Sequence, residues 1–574
     1  MKLVLAALTL AACQPLTTGV WPSTTTIAES SGYQRTGRYE EVAALCHDFA
    51  RKYHEVTCLT LGETGEGRPI YALKVEKKTG LRYIYVEGGI HAGEIEGKDA
   101  GFAFVRDMLD GKAAPRALDH VSLIFVPVIN PDGHERFAKN NRPNQRGPEE
   151  MGFRTNDARQ NINRDWMKAD APETRAALAA FKAFDPFIGV DLHTTDGAKF
   201  ETDISVTMAP LAPREDQLER VAAHLSSQLI QRLKELGNIP VDFYPSFNDA
   251  ELPESGFAKG EPPPRFSTAY MATRGRIGIL VETHSWRTYP ERVASTYHTL
   301  QALFEEAARQ GEFWNDYARK VDDKAQTLGG TEVVLQWETD MTKSRNIEFR
   351  GYAYERTLSE LTGGMWLKYD EKAPQTFTVP LYETYLPKVT AIAPLGGYIV
   401  DGGFAREVAV VLDAHGIRYE RAPAEERHVD VYRGEATFLP PYEGRTRAAI
   451  TGAWTPEKRT LEQGAIYVPI DQPLALLVMQ LLEPTGRDSL AQWGEFNTCF
   501  EQKEYAEPYV LEEAAREMFA KDPALAAEYA DFVRTSAPST EDRMTWIYKH
   551  HPSWDERMGL LPIYRVNSRV APRH

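Results

Sequence analysis

The chain has 574 residues, of which 42% are hydrophobic and 26% charged, as in folded, water-soluble proteins. This length exceeds what one hydrophobic core usually holds, and it predicts roughly two to four domains. The formal net charge of −16 argues against a nucleic-acid-binding protein, which would carry a basic surface.

The N-terminus has the pattern of an export signal. Lys2 precedes a short apolar run that ends in Leu10-Ala11-Ala12-Cys13. We interpret residues 1–12 as a signal peptide, because the run is too short to cross a bilayer. The ending resembles a bacterial lipoprotein box, in which the cysteine is lipidated. We therefore expect an exported, periplasmic or cell-envelope lipoprotein of a bacterium, anchored through Cys13. An ordinary signal peptide and a wrongly assigned start codon are the alternatives.

Residues 13–36 are rich in Thr, Ser, Gly and Pro, and they predict a tether. After residue 20 no apolar run approaches bilayer length, so no transmembrane span is predicted. Cys46 and Cys58 could pair in an oxidising compartment, but the sequence does not establish their connectivity.

Strand and helix patterns alternate through residues 37–328. Strand patterns lie at 56–61, 70–75, 81–86, 121–128, 187–193 and 277–282, and helical patterns at 39–49, 99–109, 172–184, 214–236 and 291–327. The alternation predicts an α/β domain with a mixed, twisted sheet flanked by helices. Gly329-Gly330 marks a boundary, and residues 331–574 predict a C-terminal α+β accessory region of strands followed by helices.

Two of the predicted strands lead into possible metal ligands. The strand at 81–86 precedes His91-Ala92-Gly93-Glu94, where an imidazole and a carboxylate are three residues apart and share one face if the chain turns helically. His193 ends the strand at 187–193, and ligands gather at the carboxyl ends of strands in α/β sheets. Two histidines and one carboxylate leave a fourth position open, as in catalytic rather than structural zinc sites.

Two further sites are ambiguous when each is taken alone. Glu282 ends the strand at 277–282, where it is either an ordinary strand terminus or the general base that a zinc hydrolase needs. In the Asn163-Arg164 pair, the planar guanidinium of Arg164 can form two parallel hydrogen bonds with a carboxylate, although an ordinary surface arginine is the simpler interpretation.

Taken together, these residues resemble the zinc carboxypeptidases, the carboxypeptidase A-like metallopeptidases. The resemblance covers roughly residues 40–310. Its elements follow the family's order: Gly65-Glu66-Gly67-Arg68-Pro69-Ile70, His91 with Glu94, Asn130-Pro131-Asp132-Gly133, Asn163-Arg164, His193 and Glu282.

The resemblance implies a role for each of these residues. His91, Glu94 and His193 would bind one zinc ion per chain, and Glu282 would act as general base on a zinc-activated water. Asn163 and Arg164 would hold the free C-terminal carboxylate of a peptide substrate. A further arginine would polarise the scissile carbonyl. Arg154 is our candidate for this role and Arg146 is the competing one.

The chain departs from the family pattern at several positions. Asn161 stands where many relatives have an aspartate that orients a zinc histidine, and Asp191 could share that role. The family's mobile tyrosine has no clear match, with Tyr270 and Tyr244 as substitutes. By its distance from Glu282, Ser267 falls near the position that sets side-chain preference.

We therefore predict a zinc-dependent metallocarboxypeptidase that hydrolyses C-terminal peptide bonds. The alternative on the same fold is a zinc-dependent deacylase or a cell-wall peptide amidase. A rival from another class is a non-catalytic binding protein. It would be expected to have lost a metal ligand or the base, and the sequence retains all of them.

Overall fold

The computed structural model describes residues 24–196, 198–461 and 463–568. The predicted signal peptide and Cys13 lie outside the described residues. In the first half of the chain the helices are α1 (Ile27–Ser30), α2 (Tyr39–Lys52), α3 (Glu96–Leu109), α4 (Pro131–Glu135), α5 (Pro172–Phe184), α6 (Leu218–Glu235), α7 (Ser267–Thr273) and α8 (Tyr289–Ala325). The strands are β1 (Val56–Glu63), β2 (Pro69–Val75), β3 (Tyr83–Gly88), β4 (Ser122–Val126), β5 (Ile188–Thr195), β6 (Ile204–Ala209), β7 (Pro240–Val241), β8 (Phe247–Asp249), β9 (Leu252–Ala258) and β10 (Ile277–His284).

The C-terminal half begins with strands and contains helices towards its end. The strands are β11 (Glu332–Thr339), β12 (Ser344–Leu358), β13 (Met365–Tyr382), β14 (Tyr385–Ile392), β15 (Gly397–Val400), β16 (Glu420–Arg421), β17 (Glu426–Phe438), β18 (Ala448–Thr460), β19 (Ile466–Pro469) and β20 (Leu560–Val566). The helices are α9 (Ala405–His415), α10 (Ala475–Leu482), α11 (Pro508–Lys521), α12 (Pro523–Ser536) and α13 (Thr540–Lys549).

A mixed eight-stranded sheet forms the centre of the first half, in the order β1-β2-β4-β3-β5-β10-β6-β7. Its middle strands β4, β3, β5 and β10 are mutually parallel. The carboxyl ends of β3, β5 and β10 therefore lie side by side at one edge of the sheet. The predicted α/β fold is confirmed, together with an additional C-terminal region of sheets and helices.

The two faces of this sheet bury different sets of side chains. Along β3, Ile84 and Val86 join a core with α3 and α8, whereas Tyr85 points to the opposite face and packs against Phe181 of α5. This alternation follows from the two-residue period of a strand. Because both faces are covered, the parallel strands β3, β4 and β10 carry mostly apolar residues rather than an alternating pattern.

The C-terminal region packs on the second of these faces. Phe181 and Tyr270 belong to the same buried cluster as Val408 of α9 and Leu481 of α10. In addition, β13 pairs with β9, with Leu381 in register with Phe257. The two halves of the chain therefore share a hydrophobic core and a sheet.

The predicted tether needs a correction for the residues that the structure describes. Residues 24–36 lie against α3: Glu29 pairs with Arg106 at 2.7 Å, and the Thr36 hydroxyl donates to Asp99 at 2.7 Å. Thr26 caps α1 in a capping box with Glu29. Hydroxyl-rich composition here reflects helix capping and burial rather than a solvated linker.

Cys46 and Cys58 form a disulfide that joins α2 to β1. Among the described residues, no helix has the length and apolarity that a bilayer span requires.

Candidate metal centre and its cavity

Three side chains with metal-binding atoms converge at the carboxyl edge of the sheet. His91 and Glu94 lie in the turn after β3, which is closed by the Glu94 N–H donating to the His91 carbonyl at 2.8 Å. His193 lies near the end of β5. The donor atoms of these three buried residues all lie within 4.8 Å of one another. The structure thus brings together the three residues that the sequence predicts as ligands.

The donor atoms face one another in a way that fits a cation. Nδ1 of His91 lies 3.0 Å from Glu94 Oε1, and Nδ1 of His193 lies 2.9 Å from Glu94 Oε2. The opposite ring nitrogens have their own acceptors, so both Nδ1 atoms carry lone pairs when the rings are neutral. Lone pairs that face carboxylate oxygens repel unless a positive charge lies between them, and nitrogen and oxygen donors in this combination suit zinc.

Each histidine is oriented by a second residue. His91 Nε2 donates to Asn161 Oδ1 at 3.1 Å, and His193 Nε2 lies 2.8 Å from Asp191 Oδ2. Asn161 therefore takes the orienting position despite its lack of charge, and Asp191 supports the other ring. Burial lowers the pKa of His91 to about 4, which keeps its ring neutral near pH 7. Partners of this kind fix ring orientation and tune ligand basicity.

Arg142 contacts the candidate metal site, and the sequence prediction did not include it. Its guanidinium Nη2 lies 2.6 Å from Glu94 Oε1, and the residue is 7% exposed. Burial opposes the charged form of Glu94, but Arg142 and His91 outweigh it and hold the pKa of this carboxyl well below its usual range. Arg142 lies in a polar loop, where an arginine has no sequence signal that distinguishes it from a surface residue.

Glu282 lies directly beside the predicted metal ligands. It is the register partner of His193 between the parallel strands β10 and β5, so the two side chains point to the same face. Glu282 is buried, and its Oε2 has no hydrogen-bond partner among the described residues. Burial raises the pKa of the Glu282 carboxyl well above its ordinary value, although His193 lowers it. A carboxylate in this state accepts a proton readily.

A cavity of about 400 Å³ opens over these residues. Its lining includes His91, Glu94, His193, Glu282, Arg154, Asn163, Arg164, Phe266, Thr268, Met208, Leu280 and Tyr244. Polar and apolar side chains both contribute to the wall. Concave sites of this type, with a few convergent polar groups, bind small ligands or the ends of larger ones.

The two candidate arginines for carbonyl polarisation differ in position. Arg154 lines the cavity, and its Nη1 lies 3.5 Å from Glu94 Oε1. Arg146 instead pairs with Glu371 of β13, at 2.5 and 3.0 Å. The geometry therefore favours Arg154 over Arg146.

Asn163 and Arg164 both line the cavity, but they differ in how far their polar groups are available to a ligand. Asn163 Oδ1 accepts the Ser267 N–H at 3.0 Å, so the amide oxygen is already engaged. The Arg164 guanidinium stacks over the Phe266 ring at 4.1 Å. Burial lowers the pKa of Arg164, yet an arginine remains charged near neutral pH. Arg164 is the cation in this pair that a carboxylate can approach.

Two residues suggested by the sequence, Ser267 near the position of side-chain preference and Tyr270 as a substitute for the mobile tyrosine, lie away from the cavity. Ser267 does not line the cavity, since its hydroxyl donates to Asp191, and Thr268, Met208 and Leu280 form the wall instead. Tyr270 is fully buried and bonds His415, whereas Tyr244 lines the cavity. In both cases α7 turns the predicted residue towards the protein interior, an orientation that counting from Glu282 could not show.

The C-terminal region also reaches this site. The loop 439–447, between β17 and β18, carries Glu443, whose Oε2 accepts the Asn161 N–H at 2.9 Å. Arg445 anchors the loop by pairing with Asp170 at 2.7 and 3.0 Å. Tyr442 stacks on Trp493 within the accessory region. The sequence placed no site residue in this half of the chain.

Comparison with known proteins agrees with the predicted family. Residues 42–234 match the zinc carboxypeptidase family model, which confirms the resemblance seen in the sequence and identifies a zinc carboxypeptidase-type domain in the chain. The matched range contains the three predicted metal ligands and the Asn163-Arg164 pair, and it ends before Glu282.

Individual relatives cover smaller parts of the chain. Carboxypeptidase A4 of Mus musculus is 32% identical over 124 residues, which is 20% of this chain and 30% of the relative. A protein named inactive metallocarboxypeptidase from Ajellomyces capsulatus is 26% identical over 153 residues, 24% of each chain. The chain thus spans less than a third of the length of these curated relatives. A solved metallo-carboxypeptidase from Pseudomonas aeruginosa is 19% identical, with a TM-score of 0.36 over 46% of this chain and 68% of the other.

Proposed function

We propose that the chain is a zinc-dependent metallocarboxypeptidase that removes C-terminal residues from peptides. The observation that carries this proposal is the position of Glu282. This buried carboxylate lines the same cavity as His91, Glu94 and His193, and one of its oxygens has no partner among the described residues. The cavity thus offers a metal-binding set and a proton acceptor at adjacent positions, as hydrolysis requires.

The metal-binding set fits zinc, and His91, Glu94 and His193 would hold it. When bound, zinc would supply a Lewis acid that polarises a carbonyl and lowers the pKa of a coordinated water to about 7. Glu282 takes the proton of the attacking water and delivers it to the leaving amine. Arg154 donates to the oxygen that gains negative charge in the transition state. Arg164 holds the terminal carboxylate and so selects the end of a peptide.

The experiment that tests this proposal compares peptides and acylated substrates in one assay. The zinc-loaded protein is incubated with linear peptides, their C-terminally amidated forms, acylated amino acids and a cell-wall peptide, and mass spectrometry identifies the products. We expect loss of single C-terminal residues from the free-acid peptides. A chelator should abolish this cleavage and added zinc should restore it.

Two variants distinguish catalysis by this protein from the activity of a contaminating hydrolase. Glu282→Gln should keep zinc but lower turnover by roughly 10²–10⁴-fold, the usual effect of removing a general base, whereas Glu435→Gln on the exposed face of β17 should behave as wild type. Cleavage restricted to acylated amino acids or to the cell-wall peptide would favour the deacylase or amidase. Absence of any zinc-dependent product would favour a binding protein.

We also propose that the protein is exported and anchored through Cys13. The Cys46–Cys58 disulfide supports an oxidising compartment. In a bacterial host, labelled palmitate should enter the wild-type chain and not Cys13→Ser. Release of unlabelled wild-type protein into the periplasm would indicate an ordinary signal peptide instead.

A further inference from the structure

A second group of acidic side chains uses none of the residues of the metal centre. Asp132 of α4, Asp157 and Glu173 of α5 place carboxylate oxygens within 4.8 Å of one another. Asp132 and Glu173 are buried, and Asp157 is exposed. Three carboxylates at this distance repel one another strongly unless a positive charge compensates them.

Only one oxygen of the Glu173 carboxylate has a hydrogen-bond partner in the part of the chain that the structure describes. Its Oε2 accepts the Asn156 amide at 3.1 Å, whereas its Oε1 has no hydrogen-bond partner among the described residues. Glu173 is 0% exposed, so water does not solvate this oxygen at the surface. Burial, together with repulsion from Asp132 and Asp157, raises the pKa of Glu173 to about 7. Near neutral pH the group is therefore a candidate for either a proton or a cation.

Arg68 neutralises only part of this charge. Its guanidinium lies 2.5 Å from Asp132 Oδ1 and is shared with Glu66. The remaining contacts of Asp132 are the Thr64 hydroxyl at 2.8 Å and the Glu66 N–H at 3.1 Å. One shared guanidinium leaves surplus negative charge on the side of Asp157 and Glu173.

We propose that Asp132, Asp157 and Glu173 form a binding site for a divalent cation of the calcium class. Carboxylates are hard oxygen donors that suit calcium, and calcium completes its six to eight ligands with water and carbonyl oxygens. The exposed Asp157 gives the ion access from solvent. Asp157 also lies between Arg154, which lines the cavity, and Asn161, which accepts from His91, so a bound cation braces the segment that carries both residues.

Calcium binding to the zinc-loaded protein tests this proposal without any assay of peptide cleavage. The protein is freed of calcium on a chelating resin, reloaded with zinc, and titrated with CaCl₂ in a calorimeter. Thermal unfolding is recorded at each concentration, and MgCl₂ serves as a comparison. We expect one saturable calcium site per chain and a rise of a few degrees in unfolding temperature, because a ligand that binds only the native state stabilises it.

Two variants of different burial keep the result interpretable. Glu173→Gln preserves shape at the buried position, and Asp157→Asn changes an exposed group that folding does not need. Both should lose the calcium-dependent rise, while Asp323→Asn, an exposed aspartate of α8, should keep it. Absence of saturable binding in the wild type, or binding that persists in both variants, overturns the proposal. In the first case Glu173 is simply a protonated buried acid.

Discussion

Glu443 accepts a hydrogen bond from the backbone N–H of Asn161, with 2.9 Å between Oε2 and the nitrogen. The two residues are 282 positions apart, and Asn161 is the residue that accepts from His91. Glu443 has a φ of 48°, in the left-handed region that costs a non-glycine residue about 1–2 kcal/mol. The accessory region therefore holds a strained glutamate against the residue that orients a predicted metal ligand.

This contact predicts that replacing Glu443 lowers the affinity for zinc without lowering the stability of the fold. Glu443→Gly relieves the backbone strain but removes the acceptor, so zinc affinity should fall while the unfolding temperature stays equal or rises. The fall should be smaller than the roughly 10–100-fold loss expected for a direct partner of a ligand. Competition with a chromogenic chelator measures the affinity.

Glu443→Gln provides the conservative comparison, because its amide oxygen can still accept the Asn161 N–H. It should retain most of the zinc affinity, and the exposed variant Glu435→Gln should retain all of it. Equal affinity in Glu443→Gly and wild type would show that the loop does not support the metal centre.

Asn161 itself should have a larger effect than Glu443. Asn161→Ala removes the acceptor for His91 Nε2 and should weaken zinc binding by roughly 10–100-fold. Asn161→Asp keeps the acceptor and adds negative charge, which makes the imidazole a stronger ligand, so zinc affinity should equal or exceed that of the wild type. If Asn161→Asp binds zinc as weakly as Asn161→Ala, the orienting role is wrong.

Arg154 and Arg146 are the two candidates for polarising the scissile carbonyl, and substituting each of them distinguishes between the two. Arg154 lines the cavity, whereas Arg146 pairs with Glu371. Arg154→Gln should lower kcat by roughly 10²–10³-fold, as expected when a donor to the developing oxyanion is lost, and Arg146→Gln should change kcat little. Steady-state kinetics on one free-acid peptide measures both. The reverse order of effects would reassign carbonyl polarisation to Arg146.

Arg164 should distinguish substrates by their C-terminus. Arg164→Ala removes the guanidinium over Phe266 and should raise KM mainly for peptides with a free terminal carboxylate. A charge-assisted pair is worth roughly 1.5–3 kcal/mol, or about 10–150-fold in kcat/KM. Amidated peptides are the internal control. A loss of the same size on free-acid and amidated peptides would exclude a carboxylate clamp.

The position of the candidate metal ligands could be predicted because local patterns determine where these residues lie. Apolar runs predict β3, β5 and β10, and parallel strands bring His91, His193 and Glu282 to one edge of the sheet. Arg142 and Glu443 could not be predicted, since both lie in polar loops and gain their roles from tertiary packing alone. The tether was predicted wrongly over residues 24–36 for a related reason. Threonines that cap a helix or bond a buried aspartate have the same composition as a solvated linker.

His415 predicts how the contact between the two halves of the chain responds to acid. His415 Nδ1 accepts the Tyr270 hydroxyl at 2.6 Å, and its Nε2 donates to the Met167 carbonyl at 3.0 Å. This pattern requires a neutral ring, and burial lowers the pKa of His415 to about 4. Because the unfolded chain protonates the ring near pH 6.5, the stability from this group is present above pH 6.5 and is lost as pH falls towards 4.

The loss between pH 7.5 and 4.5 should be about 2–3 kcal/mol in the free energy of unfolding, from 1.36 kcal/mol per pKa unit. Other groups also titrate in this range, so the relevant quantity is the difference between wild type and His415→Gln. That variant keeps a donor and an acceptor but does not titrate. Its disadvantage against wild type at pH 7.5 should therefore shrink or reverse at pH 4.5 in chemical denaturation. A difference that stays constant with pH would mean that the ring protonates at the same pH in the folded and unfolded chain, and that burial does not hold His415 neutral.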